Sequence, residues 1–73
     1  MTDQELINSL EVGQKSEMVT NPYTGQSRML EPLAVALYDY IKGCELTKDY
    51  DKLTQALGIF VEKWPEEYYT LLD

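Results

Sequence analysis

Residues Asn21–Gly25 read NPYTG. The pentapeptide has the form of an Asn-Pro-x-Thr-Gly cell-wall sorting signal, and it also has the chemistry of a tight turn. A sorting signal needs an apolar span and a basic tail behind it, whereas most of this chain follows the pentapeptide, so a turn is expected. As a turn, Asn21 accepts backbone hydrogen bonds, Pro22 presets φ for the first loop position, Tyr23 and Thr24 stay right-handed, and Gly25 supplies positive φ. Four loop residues built around a type I turn then join two strands.

The flanking segments support that reading. KSEMVT (15–20) and QSRML (26–30) are short, mixed and partly β-branched, which predicts the arms of a β-hairpin. Met18, Met29 and Leu30 are the side chains expected to face inward.

Upstream, Thr2 and Glu5 have the spacing of a capping box, with Met1 and Leu6 placed to close a hydrophobic staple. The helix that follows is predicted to run to about Leu10, with Leu6, Ile7 and Leu10 on one face and Gly13 as its stop. Downstream, Glu31-Pro32 opens a second helix, with Pro32 at the first position, where its missing amide costs nothing. Leu33 to Ile41 is apolar or aromatic on nearly every face, which predicts a central helix ended by Gly43, with Asp39 on the flank that reaches water. A third helix is predicted from about Thr47 or Asp49. Its stripe comprises Tyr50, Leu53, Leu57, Phe60 and Trp64, widened by Ala56 and Val61. Pro65 interrupts it and, with Glu66 and Glu67 behind, suits the first turn of a short fourth helix carrying Tyr68, Tyr69, Leu71 and Leu72. The expected fold is α+β but mainly α, with three to four short helices and one β-hairpin between helix 1 and helix 2. It forms a single small domain over 1–73, with the hairpin on the second helix and the third helix laid across it.

Composition narrows the function. Thirteen acidic against six basic side chains give a net charge of -7, with no histidine. Such a charge repels phosphate backbones, so no direct nucleic-acid binding is expected, and a basic protein surface would be attracted. The single cysteine, Cys44, cannot close an internal disulfide and favours a reducing interior. The start of the chain is acidic rather than basic, and the most apolar stretch, Leu33–Ile41, is far short of the roughly 20 residues a membrane span needs. A cytoplasmic protein with no membrane role is expected.

Most site chemistry is excluded by what the chain lacks. Zinc and Cys/His nucleophile sites fail for want of histidine. Asp49 and Asp51 resemble the start of a calcium loop, but Thr54 stands where glycine is needed and Phe60 where the closing glutamate belongs, so helix-capping acids are the better reading. Glu62, Glu66 and Glu67 gather around Pro65 as a solvated face, since acid/base work needs a cleft and so small a core leaves little room for a pocket of roughly 300 Å³. Cys44, although near Lys42, reads as a small buried side chain. No cofactor, metal or catalytic residue is expected.

What remains is aromatic. Six tyrosines and one tryptophan are many for 73 residues. Tyr38, Tyr40, Tyr50 and Trp64 are expected in the core, with their polar ends at its edge. Tyr23 at the loop tip, and one of the adjacent Tyr68 and Tyr69, are harder to bury and are the candidates for a partner-binding surface.

Two stretches, NPYTGQSRMLEPLAVALYDYI (21–41) and WPEEYYTLL (64–72), resemble small uncharacterised proteins encoded by tailed bacteriophages, marine ones in particular. There, too, a turn, Leu-x-Pro and an apolar Tyr-Asp-Tyr helix follow in order. The resemblance covers under half of the chain and implies a phage setting, and so the interior of a host cell, but no activity and no site residues. The expectation is therefore a non-enzymatic protein that works through protein contacts, with itself, possible as a homodimer, or with one partner. The alternatives are an acidic mimic of nucleic acid that inhibits a basic protein, and a subunit of an enzyme completed by a partner.

Overall fold

The computed structural model describes residues 2–72. Its elements are α1 (Asp3–Ser9), β1 (Glu17–Thr20), β2 (Ser27–Leu30), α2 (Pro32–Thr47), α3 (Tyr50–Lys63) and α4 (Pro65–Leu71). The fold is mainly helical, with one antiparallel hairpin between the first and second helices.

Local chemistry explains where most elements start. Thr2 and Glu5 form the full capping box: the Glu5 amide donates to Thr2 Oγ1 at 3.1 Å and the Thr2 amide to Glu5 Oε1 at 3.0 Å. The staple's other half, Met1, lies outside the described residues. Pro32 and Pro65 occupy the first turns of α2 and α4, and Asp49 caps α3 by accepting from the Lys52 amide at 3.3 Å. The two acids once suggestive of a calcium loop thus sit at a helix start, Asp49 as cap and Asp51 in the first turn.

The hairpin loop follows its sequence chemistry. The Asn21 amide donates to the Gln26 carbonyl at 2.8 Å, enclosing four loop residues, and the Gly25 amide closes back on the Asn21 carbonyl at 2.8 Å. Gly25 has φ of 76°. Asn21 Oδ1 accepts from the Tyr23 amide at 2.9 Å.

Glycine does not end the helices as expected. The first helix ends at Ser9 with Leu10 as its extended C-cap, within a residue of the expected end, and Gly13 plays no part in stopping it. The second does not end at Gly43 but continues to Thr47, where Lys48 takes the left-handed conformation (φ 59°). There the Asp49 amide reaches the Cys44 carbonyl at 3.1 Å and the Lys48 amide the Glu45 carbonyl at 3.4 Å, a Schellman closure with lysine in the position glycine usually holds. Nor is α2 buried all round: Ala34, Leu37, Ile41 and Cys44 form one buried stripe at steps of three and four, and Leu33, Val35 and Ala36 are only half-buried. So small a chain lacks enough other elements to surround a central helix. Asp39 is exposed, as the flank position implies.

The core unites Leu6 of α1, Leu30 of β2, Ala34, Leu37 and Ile41 of α2, Ala56, Ile59 and Phe60 of α3, and Leu71 of α4. The α3 stripe centres on Ala56, Ile59 and Phe60, with Leu53, Leu57 and Trp64 at its edge; Tyr50, expected inside, is exposed. The main helix pair is α2 on α3, while the hairpin rests chiefly on α4 through β2 and touches α2 less than expected. Within the hairpin, Met18 pairs with Met29 and Val19 with Arg28, which puts both methionines on the outer face and Val19 with Leu30 on the core face. The expected inward set was right for Leu30 and wrong for Met18 and Met29: the pleat sends neighbours to opposite faces, so burying Leu30 exposes Met29 and its cross-strand mate.

Candidate functional site

The surface around the hairpin tip and α4 carries the residues singled out as partner-binding. Asn21, 4% exposed, is the one buried polar side chain among the described residues. Its Nδ2 donates to the Thr70 carbonyl at 3.0 Å, clamping the loop against the end of α4. Arg28 adds a second tie, donating from Nε to Thr70 Oγ1 at 3.1 Å and lying 3.8 Å from the Glu66 carboxylate. Two residues past the clamp, Tyr23 is 94% exposed. On α4, Tyr69 is 63% exposed, and the half-buried Tyr68 packs on the core with its ring edge-on to Tyr69, centroids 5.5 Å apart. One of the two adjacent tyrosines therefore faces water, and it is Tyr69. A rigidly mounted aromatic loses little side-chain freedom when covered, which is what makes such residues interface anchors.

Of the remaining tyrosines, Tyr38 and Tyr40 are spent on packing and Tyr50 is exposed. Tyr38, Tyr40 and Trp64 lie against the core. The Trp64 ring meets Phe60 at 5.2 Å, and its Nε1 donates to Glu31 Oε1 at 3.1 Å, joining the start of α2 to the α3–α4 junction.

At the junction of α2 and α3 the surface holds an open depression of about 300 Å³, lined by Tyr40, Gly43, Cys44, Thr47, Asp49 and Lys52. Room of that size was not expected, and it arises because α2 runs one turn past Gly43 before reversing into α3. Burial, and after it the neighbouring Cys44 and Asp49, raise the Tyr40 hydroxyl above the ordinary tyrosine value of 10.0. Lys52 is engaged with Asp49 at 3.6 Å. Cys44 is buried, as its sequence position suggested, and Lys42 turns to Glu45 at 3.6 Å and over the Tyr38 ring at 5.3 Å.

The carboxylates gathered around Pro65 are divided among separate tasks. Glu66 faces Arg28, Glu67 sits in the first turn of α4, and Glu62 borders another depression with Asp3 and Lys63. Among the described residues no group of three or more Cys, Asp or Glu is placed to hold a metal ion, and no helix is long and apolar enough to cross a membrane.

Compared with known proteins, the chain matches no family model, no curated protein and no solved structure.

The outer rim of the hairpin escaped sequence reasoning. Alternation in EMVT and SRML is too weak to say which face or which edge is free, and only the strand register and the seat of β2 on α4 show that Met18 and Thr20 lie on an open edge.

Proposed function

We propose that this chain is a non-catalytic protein that works by contacting another protein through the exposed side chains of Tyr23 and Tyr69, with Tyr68 bracing the latter. One observation carries the reading: Tyr23 is 94% exposed on a loop that the buried Asn21 ties to α4 by hydrogen bonds. An aromatic presented in this way is suited to a pocket on a partner, and it does no packing for its own fold. The phage setting implied by the sequence resemblance makes a phage or host protein the natural counterpart.

The test is affinity capture with the intact chain beside Tyr23→Ala and Tyr69→Ala. Expected is a protein retained by the intact chain and lost from both variants while their helical circular dichroism stays unchanged. Equal retention by all three would overturn the proposed surface. Saturable turnover by the chain, abolished by removing a carboxylate, would overturn the non-catalytic reading.

A further inference from the structure

The hairpin is a two-stranded sheet in which β2 is the strand that packs on the helices and β1 is the outer strand, with an open edge. β2 lies against α4 and α2, whereas β1 packs chiefly on β2. The bond from the Asn21 amide to the Gln26 carbonyl makes that facing pair a hydrogen-bonded one, and pairs alternate along an antiparallel ladder. Val19 with Arg28 and Glu17 with Leu30 are then hydrogen-bonded, and Met18 and Thr20 direct their amides and carbonyls away from β2. The 2.6 Å approach of Thr20 Oγ1 to Ser27 Oγ fits the close side-chain spacing of a non-hydrogen-bonded pair. Among the described residues, none donates to or accepts from the main chain of Met18 or Thr20 across the open edge.

The outer face beside that edge is Met18, Thr20, Ser27 and Met29, without a charge, and both methionines are more than half exposed. Within the hairpin, from Glu17 to Leu30, the charged residues are Glu17 and Arg28, so it carries no net charge in a chain of net charge -7. Two copies of so acidic a chain repel one another over most of their surface, and least here.

We propose that the open edge of β1 binds β1 of a second copy, giving a four-stranded antiparallel sheet about a two-fold axis. The inference rests on the protein-contact reading and takes a second copy as partner. An antiparallel strand edge is its own complement, as an isologous interface requires. One register uses all four open groups: Met18 faces Thr20 of the other copy, twice, with Val19 on the axis. That register sets the two Glu17 residues four positions apart, roughly 13 Å along the sheet, beyond the screening length of about 8 Å at physiological salt.

The experiment is light scattering behind size exclusion over a concentration series, with amide exchange read at Met18 and Thr20. Expected is a concentration-dependent dimer in which these two amides gain protection. Met18→Pro should weaken it at least roughly tenfold, because it removes an outward-pointing amide without touching the ladder to β2. Met18→Lys places charge on the edge and should act in the same direction should the proline variant fold poorly. A monomer at every concentration up to about 1 mM would overturn the inference and leave the Tyr23 surface to its own capture test. So would a dimer indifferent to both Met18 variants, or one lost only with Tyr23→Ala and Tyr69→Ala, which would move self-association to those tyrosines.

Discussion

Asn21 Nδ2 donates to the main-chain carbonyl of Thr70 at 3.0 Å, across 49 residues of sequence. The same side chain accepts from the Tyr23 amide through Oδ1, so one amide group shapes the hairpin loop and fastens it to α4. This joint decides where the exposed Tyr23 stands relative to the helices.

Replacing Asn21 by alanine strands a carbonyl and an amide at once. With about 1 kcal/mol for each net hydrogen bond, Asn21→Ala should lower stability by about 2 kcal/mol. Asn21→Asp keeps the acceptor for Tyr23 but sets a carboxylate against the Thr70 carbonyl and should cost at least as much. A denaturant titration showing less than about 0.5 kcal/mol for the alanine variant would remove the clamp from this account.

The two faces of the hairpin should respond unequally to truncation. Leu30 is 1% exposed and Met29 57%. Leu30→Ala should cost about 2 to 5 kcal/mol, and Met29→Ala within about 0.5 kcal/mol. Equal losses in thermal unfolding would mean that the register is shifted by one residue.

Backbone conformation sets the sign of three further substitutions. Gly43 is exposed within α2, with open space where a Cβ would go, so Gly43→Ala should stabilise by about 0.5 to 1 kcal/mol. Lys48→Gly should also stabilise, by about 0.5 to 1 kcal/mol, since lysine there holds φ of 59°. Gly25, at φ of 76°, also has free space around it, and Gly25→Ala should destabilise by about 1 kcal/mol through the backbone alone. Chemical denaturation of the three variants checks the signs together.

Two groups predict the pH response. Hydrogen bonds from the backbone amide and side chain of Thr2 hold Glu5 below the ordinary glutamate value of 4.5. Because the folded value is the lower one, the box's contribution is present above that value and is lost as pH falls through the folded one, so amide exchange in α1 should quicken first on acidification. Tyr40 is raised, so its neutral form is favoured in the folded state. Its contribution is present below 10.0 and is lost as pH rises through the folded value. Tyr40→Phe should flatten the alkaline limb of a stability profile, and an unchanged limb would exclude Tyr40 as its source.

Much of the fold was legible because its signals are local. Thr2 with Glu5, Pro32, Pro65 and NPYTG act through bonds or ring constraints within a few residues, and those physics are the same in any context. The element order, the hairpin between the first and second helices and the shape of its loop followed from them. The stop expected at Gly43 failed because a weak local preference of about 1 kcal/mol competed with the continued helix that buries Cys44 and closes at Lys48, and the helix won.

Of the candidate site, the sequence could mark Tyr23 and the Tyr68–Tyr69 pair as hard to bury, since a loop tip and two neighbouring residues on one helix cannot all face one core. Which of the pair faces water, that Tyr50 does too, and that Met18 and Met29 turn outward depended on contacts between distant segments. The hairpin's register and faces follow from seating Leu30 in a core that α4 helps to close, and its loop is held by Asn21 on Thr70; α4 is distant in sequence from both residues. Long-range packing selects one pleat phase out of two that a four-residue strand with weak alternation permits equally, and it thereby chose the face and the edge this protein leaves to water.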